Sequence, residues 1–121
     1  SLYKWGLHDR TPMNKWSKGR FSLLGDAAHP MLPFVAQGAA MAIEDGIVLA
    51  SSLSSFDNVA LGLNDYENKR KYRTAKAQKT ATRNATIFHL SDFFAIFRNL
   101  VMKFFIKKIM DSFYKYDAIS K

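Results

Sequence analysis

The sequence predicts a mainly α-helical chain with one or two short strands, an incomplete C-terminal piece of a larger α/β protein. The short apolar run FSLLG, residues 21–25, is typical of a buried strand in a parallel sheet, and such a strand needs neighbours on both sides. Three segments with helical periodicity follow it, without any further strand pattern. The chain of 121 residues opens on Ser1, not Met, inside an apolar stretch, which we interpret as a truncated reading frame or an excised segment.

Composition narrows the chemistry that the chain can perform. Its 18 basic and 10 acidic residues give a formal net charge of +8, which favours anionic partners: nucleic acid, a membrane surface or small anions. The absence of cysteine excludes disulfides, thiolate zinc sites and a cysteine nucleophile. The three histidines lack metal-ligand spacing, so no metal site is predicted. Because no leader pattern opens the chain, we expect a cytoplasmic protein, although a missing N-terminus would remove any targeting signal.

The N-terminal third reads as strands and loops. Residues 3–7 are predicted to form a short strand, and residues 11–19 carry the punctuation of a loop, with Trp16 as its buried anchor. The run from Phe21 to Gly25 is the second predicted strand.

A first helix is predicted from Gln37 to about Ser54. Glu44 and Asp45 are expected on its polar side. The apolar positions that predict its buried face, at a spacing of three or four residues, are Ala40, Ile43, Ile47, Ala50 and Leu53.

Two further helices complete the chain. Asp57 or Asn58 is suited to cap the second, which should run to about Phe88, because either side chain can accept hydrogen bonds from free N–H groups of the first turn. The third is predicted from residue 91 or 92 to about Met110.

The segment between the second strand and the first helix carries the chemistry. Gly25 lets the chain turn, and Asp26 then lies beyond the carboxyl end of a strand, where open α/β sheets bind ligands. Its carboxylate can accept hydrogen bonds from the hydroxyls of a sugar or sugar alcohol. The sequence QGAA, residues 37–40, opens the helix with unobstructed N–H groups that suit an oxyanion or an electron-rich carbonyl. The carboxylate, the glycine turn and the bare helix start suit a flavin. The same residues would also be expected in a tight strand-to-helix turn whose alanines only pack the helix on the sheet.

Residues 19–53, GRFSLLGDAAHPMLPFVAQGAAMAIEDGIVLASSL, are similar to the second FAD-binding motif of flavin-dependent aromatic-ring monooxygenases. These are the single-component enzymes related to para-hydroxybenzoate hydroxylase. The sequence of the motif is most similar to that of the salicylate hydroxylase branch. Other stretches also resemble this family, and together they cover nearly the whole chain: WGLHDRTPMNKW, ALGLNDYENKRKYR, FHLSD and FYKYDA.

The resemblance implies an FAD/NAD(P)-binding, Rossmann-like parent fold and a role for each residue of the motif. Asp26 would contact the ribityl chain of FAD, and Gly25 would shape its turn. Pro33 would lie along the isoalloxazine ring. Backbone groups of the helix start would face the pyrimidine end of that ring and stabilise negative charge on reduced flavin. The implied cofactor-binding residues are Gly25, Asp26, Pro33, Gly38, Ala39 and Ala40, with no catalytic side chain in this segment.

The resemblance also implies three regions and a reaction. Residues 1–18 would be a returning edge of the substrate domain and a linker, residues 19–56 the strand–loop–helix of the FAD motif, and residues 57–121 the C-terminal helices. With NADH or NADPH and O2, such enzymes hydroxylate an aromatic substrate, here a phenolic acid, through a flavin C4a-hydroperoxide. The parent could be a homodimer.

One departure from the family is large, because the chain contains no G-x-G-x-x-G motif for the adenosine and pyrophosphate of FAD. We therefore expect that part of the site in a missing N-terminal half, and the isolated 121 residues to be inactive.

Two alternatives depend on the helices that follow the motif. The cations of the second helix suggest a basic binding module for phosphate or nucleic acid, but a solvated face with Arg70 and Arg73 bonding back to the motif is the simpler interpretation. Residues 93–110 are too charged to span a membrane. An interfacial basic helix is one reading of them; the other is that Phe93, Phe97, Leu100 and Phe104 dock onto the missing body or a second subunit. A non-enzymatic fragment that packs on a partner remains the other functional reading.

Overall fold

A computed structural model describes residues 2–4, 6–114 and 116–117 of the chain. Within this part the fold is mainly helical with two short strands, as the sequence predicted. The elements are β1 (Ser17–Lys18), β2 (Phe21–Ser22), α1 (Gly38–Ser54), α2 (Val59–Phe88) and α3 (Asp92–Tyr114).

The two strands form a small antiparallel hairpin in which Ser17 pairs with Ser22 and Lys18 with Phe21. The prediction of a buried, parallel-type strand over residues 21–25 is therefore wrong. Phe21 is 82% exposed. Within the described structure, β2 is only two residues long and pairs only with β1. The predicted strand over residues 3–7 is also not formed by its described residues, and Trp5 lies outside them.

The helix limits agree closely with the sequence prediction. Helix α2 begins after Asn58, whose Oδ1 accepts hydrogen bonds from the N–H groups of Ala60 (2.8 Å) and Leu61 (3.4 Å). This is the side-chain cap that an asparagine at that position favours, and it satisfies two otherwise free donors of the first turn. Helices α1 and α2 pack against each other and form the body of the structure.

The buried face of α1 differs from the predicted one. Ile43 is 67% exposed and Ile47 40% exposed, so the apolar stripe named from the sequence is not the packed one. The residues of α1 that are buried against α2 and the preceding loops are Met41, Asp45, Val48 and Ser52. Both stripes have the same helical spacing, and the position of α2 selects between them.

The core lies between α1, α2 and the N-terminal loops. Trp16 is 6% exposed, which confirms it as the anchor of its loop, and its ring lies 5.8 Å from that of Tyr66 on α2. Ala28 and Val48 complete this cluster. The loop that precedes α1 is therefore held against α2 by aromatic packing.

The described side chains of helix α3 pack little on this body. Phe93, Phe97 and Leu100 are 76%, 63% and 57% exposed, so their predicted docking onto another body stays a prediction, and the side chain of Phe104 lies outside the described part. Among the described residues, no helix combines the length and the apolarity that crossing a bilayer requires.

Candidate functional site

The segment GDAAH, residues 25–29, forms a tight turn between β2 and α1, and we call it the GDAAH turn. Gly25 has φ 59°, a left-handed conformation, and a Cβ atom on it would lie 3.2 Å from Cβ of Ala42. A glycine is therefore required here by both conformation and space. The N–H groups of Ala28 and His29 both donate to the carbonyl of Gly25, each at 2.9 Å, which closes the turn.

A groove of about 670 Å³ lies in front of this turn. Its volume is within the range of about 300–1,000 Å³ that is usual for small-molecule sites. Five of the six predicted cofactor residues line it, and Ala40 does not. The lining residues are Leu24, Gly25, Asp26, Met31, Leu32, Pro33, Ala36, Gly38, Ala39 and Ala42.

Asp26 is the only charged residue of the groove lining. Its side chain is exposed and has no hydrogen-bond donor among the residues that the structure describes. A Cβ atom on Gly38 would lie 3.9 Å from its Oδ1, so the carboxylate is next to the start of α1. This arrangement leaves the acceptor capacity of Asp26 available to a ligand.

The start of α1 is bare, as predicted. Gln37 precedes the helix without a side-chain capping bond, and the first helical bond runs from the N–H of Met41 to the carbonyl of Gln37, at 2.8 Å. The N–H groups before Met41 therefore lack an intrahelical acceptor, and the helix dipole makes this end partially positive. A negatively charged or electron-rich group in the groove would be stabilised there.

The far side of the groove is a short 3-10 turn, Pro33–Val35. Ala36 follows it with φ 51°, an uncommon conformation for a residue with a Cβ atom. The side chain of Asn84 on α2 donates to the carbonyl of Phe34 at 3.1 Å and holds this turn in place. Proline and the constrained backbone give the groove a rigid edge.

Behind the GDAAH turn lies a group of charges on α1 and α2, which we call the ion cluster. It consists of the buried Asp45 and Arg70 and the partly buried Glu44 and Arg73. Arg70 donates through Nε to Asp45 (2.7 Å) and through an NH group to Glu44 (2.7 Å). Arg73 forms two further bonds to Glu44, at 2.7 and 2.6 Å. Two carboxylates and two guanidinium groups therefore balance each other.

The ion cluster is joined to the turn through Asp45. Its Oδ2 accepts the N–H of Gly25 at 3.1 Å and lies 2.6 Å from Nε2 of His29. Asp45, His29 and Arg70 are all fully buried. Both ends of the GDAAH turn are thus bonded to one carboxylate.

The pKa values of the two acidic members follow from these contacts. Burial opposes ionisation of Asp45, but the hydrogen bonds from His29 and Arg70 outweigh it and lower the pKa of this carboxyl group. Burial likewise opposes ionisation of Glu44, and hydrogen bonds from Arg73 and Arg70 lower its pKa. Both side chains are therefore carboxylates at neutral pH.

Helix α2 supports the same region at further points. The hydroxyl of Tyr66 donates to the carbonyl of Leu23 at 3.2 Å, and burial raises the pKa of this phenol, with the nearby Asp45 charge adding to the effect. Gln78 donates to the carbonyl of Pro30 at 3.0 Å. From the N-terminal segment, Arg10 donates to the carbonyl of Ala27 at 2.7 Å.

Sequence reasoning missed the ion cluster in part. That Arg70 and Arg73 bond back to the motif is confirmed, but Asp45 was expected on the polar side of α1 and is fully buried. A signal was present, because Asp45 lies four residues after Met41 and three before Val48, in register with buried apolar positions. An acidic residue at a buried position of a helix predicts that a basic or hydrogen-bonding side chain is buried next to it.

The residues present fit the isoalloxazine and ribityl parts of a flavin. Asp26 supplies a free acceptor for hydroxyls, the helix start supplies free donors, and small residues leave room for a flat ring. They do not provide for a pyrophosphate, since the chain has no G-x-G sequence.

Comparison with known proteins matches residues 1–81 to the family described as "FAD binding domain". The chain is 45% identical over 101 residues to 3-hydroxybenzoate 6-hydroxylase 1 of Aquipseudomonas alcaligenes, covering 82% of this chain and 25% of that protein. It is 49% identical over 83 residues to 6-hydroxynicotinate 3-monooxygenase of Pseudomonas fluorescens, covering 67% of this chain and 22% of that protein.

A solved structure gives the same result for the fold. The chain superposes on a structure titled "Salicylate hydroxylase substrate complex" with a TM-score of 0.76 and 27% identity, covering 94% of this chain and 29% of that one. The chain thus spans about a quarter of the length of the curated relatives it matches.

Proposed function

Because this chain belongs to the family of FAD-dependent aromatic-ring monooxygenases, as its sequence predicted, we propose that it supplies the flavin-ring end of the FAD site in a longer enzyme that hydroxylates an aromatic substrate. The observation that carries this proposal is the groove, in which a carboxylate without a donor from the described residues faces a bare helix start. Gly25, Asp26, Pro33, Gly38 and Ala39 line or shape it, and Ala40 contributes through the first turn of α1.

Each of these residues has a distinct task in the proposed site. Asp26 accepts hydrogen bonds from ribityl hydroxyls, and Gly25 places it at the groove. Pro33 forms the rigid edge beside the ring. The N–H groups at the start of α1 stabilise negative charge on the pyrimidine end of the flavin. Residues 1–18 act as an edge of the substrate domain and a linker, and residues 19–56 hold the ring. Residues 57–121 are the C-terminal helices, of which α2 supports the site from behind.

Bound FAD would supply the redox chemistry, with NADH or NADPH as reductant and O2 as oxidant: one oxygen atom is added to an electron-rich aromatic ring and the other leaves as water. The contribution of this chain is to bind and orient the flavin and to keep water from one side of it. No side chain of the groove is needed as a nucleophile, which agrees with a lining of small and apolar residues around a single acid.

The substrate proposed for the longer enzyme is a phenolic acid or a related hydroxylated aromatic ring. The matched relatives are named for hydroxybenzoate and hydroxynicotinate, and both are hydroxylated aromatic rings with a carboxylate. The adenosine and pyrophosphate part of FAD would be bound by an N-terminal half, and a cytoplasmic homodimer is the proposed setting. Retention of flavin by the native protein separates this proposal from a non-enzymatic fragment.

The substitution Asp26→Ala tests the proposal in the native protein that carries this chain. Ribityl hydroxyls would lose a charged acceptor worth about 1.5–3 kcal/mol, so FAD should bind roughly 10- to 100-fold more weakly. The dissociation constant is measured by quenching of flavin fluorescence during titration of the FAD-free protein.

Asp57→Ala is the matched control, because Asp57 is an exposed aspartate in the loop before α2. It should leave FAD affinity unchanged. Equal affinities for the two variants would remove Asp26 from the flavin site.

A further inference from the structure

Asp45 accepts more hydrogen bonds than its place on a helix requires. It is fully buried, and three donors from three parts of the chain converge on it: the N–H of Gly25, the ring of His29 and Nε of Arg70, at 3.1, 2.6 and 2.7 Å. A buried carboxylate is costly unless it is paired and hydrogen-bonded, so these contacts are what keep Asp45 ionised in the interior.

Stability alone is a weak reason for such an arrangement. A buried ion pair is often no more stabilising than well-packed apolar side chains of similar volume. An apolar residue at position 45, however, would leave the N–H of Gly25 buried without an acceptor. What distinguishes the carboxylate is therefore its bond to the GDAAH turn.

The geometry of that turn shows what the bond controls. Gly25 is in a left-handed conformation with its N–H directed at Asp45, and the next residue, Asp26, is exposed in the groove. His29, at the other end of the turn, is bonded to the same carboxylate oxygen. With both ends tied to Oδ2 of Asp45, the position of the Asp26 side chain follows from the position of Asp45.

Arg70 determines where Asp45 lies. Its Nε bonds to Oδ1 of Asp45, a second nitrogen bonds to Glu44, and a third lies 3.3 Å from the carbonyl of Met41. A planar guanidinium with all its nitrogens engaged holds one orientation, which a lysine could not reproduce.

We propose that Asp45, oriented by Arg70, is a positioning residue of the flavin site, which sets the backbone of the GDAAH turn so that Asp26 faces the groove. The inference rests on the proposed function for its consequence in FAD binding, but the positioning of the turn can be measured without FAD.

The experiment compares Asp45→Asn with Ser52→Ala in the native protein. Asparagine keeps the shape of aspartate, but its NH₂ group would face either Nε of Arg70 or both the N–H of Gly25 and the ring of His29, because the last two share Oδ2. Ser52 is the matched control, because it is also fully buried on α1 and bonds to α2, through Asp65 at 2.7 Å, without contact to the GDAAH turn. Amide hydrogen exchange of peptides covering residues 23–32 is measured in the FAD-free protein. FAD affinity and the visible circular dichroism of the bound flavin are measured next.

The expected result is a loss of exchange protection at the turn in Asp45→Asn, about tenfold weaker FAD binding, and altered visible dichroism at saturating FAD. Ser52→Ala should keep wild-type protection of the turn and a wild-type flavin spectrum, even if its unfolding temperature falls. A purely structural role for Asp45 would instead lower the unfolding temperature of Asp45→Asn and leave its turn and its flavin spectrum unchanged.

Arg70→Lys provides a second route if Asp45→Asn does not fold. It keeps the charge, and the inference predicts the same pattern at the turn; wild-type exchange in residues 23–32 would overturn it. If wild-type protein binds no FAD, the proposed function fails, and the exchange data still decide whether Asp45 positions the turn.

Discussion

The GDAAH turn has a carboxylate on each side, and the two differ in exposure and in hydrogen bonding. We call the side that faces the groove the front and the side that faces the ion cluster the back. At the front, Asp26 is exposed in the groove without a donor from the described part of the chain. At the back, Asp45 is fully buried and accepts three hydrogen bonds. The carboxylate at the front is thus left to a ligand, and the carboxylate at the back is satisfied by its three donors. The comparison predicts that changes at the back affect stability most, whereas changes at the front affect binding.

The largest effect is expected for Arg70→Met. This change leaves the buried Asp45 and the largely buried Glu44 with less counter-charge, and breaking a buried pair from one side costs about 3–5 kcal/mol. The free energy of unfolding is measured by urea denaturation of the FAD-free protein. Arg83→Met is the matched control, since Arg83 is exposed on the same helix, and it should change stability by no more than about 0.5 kcal/mol. Similar losses in both variants would contradict the importance of the buried cluster.

A second difference between the two sides concerns pH. The pKa values of Glu44 and Asp45 are lowered in the folded state, so both groups bind protons more readily when the chain is unfolded. Their stabilising contribution is present above the unfolded carboxyl values of about 3.9–4.3 and is lost as the pH falls through the lower folded values. The free energy of unfolding should therefore decrease in acid below about pH 4. This decrease should be smaller in Asp45→Asn, and an identical acid profile would argue against the bonds at Asp45.

The smallest effect on stability is expected at the front, for Gly38→Ala. The added methyl would lie 3.9 Å from Oδ1 of Asp26, an ordinary contact, so the fold should tolerate it. Because the methyl enters the groove, FAD affinity should fall several-fold. Gly46→Ala is the matched control: it lies on the same helix with no atom within 4 Å of the added carbon. It should raise stability by about 0.5–1 kcal/mol and leave FAD affinity unchanged. Equal affinities in the two variants would place the flavin elsewhere.

Local signals accounted for much of the fold. The end of α1, the cap of α2 at Asn58 and the anchoring role of Trp16 were all predictable, because each depends on a few neighbouring residues. Half of the groove lining was named from the motif, and the other half was not, because its side chains carry no polar group that a pattern would reveal: Leu24, Met31, Leu32, Ala36 and Ala42.

The incorrect predictions concern burial, which depends on contacts with residues distant in the sequence. The run FSLLG has the composition of a buried strand, but within the described residues it pairs only with the short strand β1, and Phe21 is exposed. Helical spacing predicted a buried stripe on α1 but not which of two stripes is buried, since Ile43 and Asp45 both belong to a periodic set. Periodicity gives the repeat of a pattern, and the packed neighbour selects its phase.

By itself the sequence determined the family, the three helices and the residues placed around the groove, because these depend on motif, capping and spacing along the chain. Only the tertiary structure decided that Asp45 turns inward. Its three donors come from positions 25, 29 and 70, and a carboxylate is buried only where such donors converge in space.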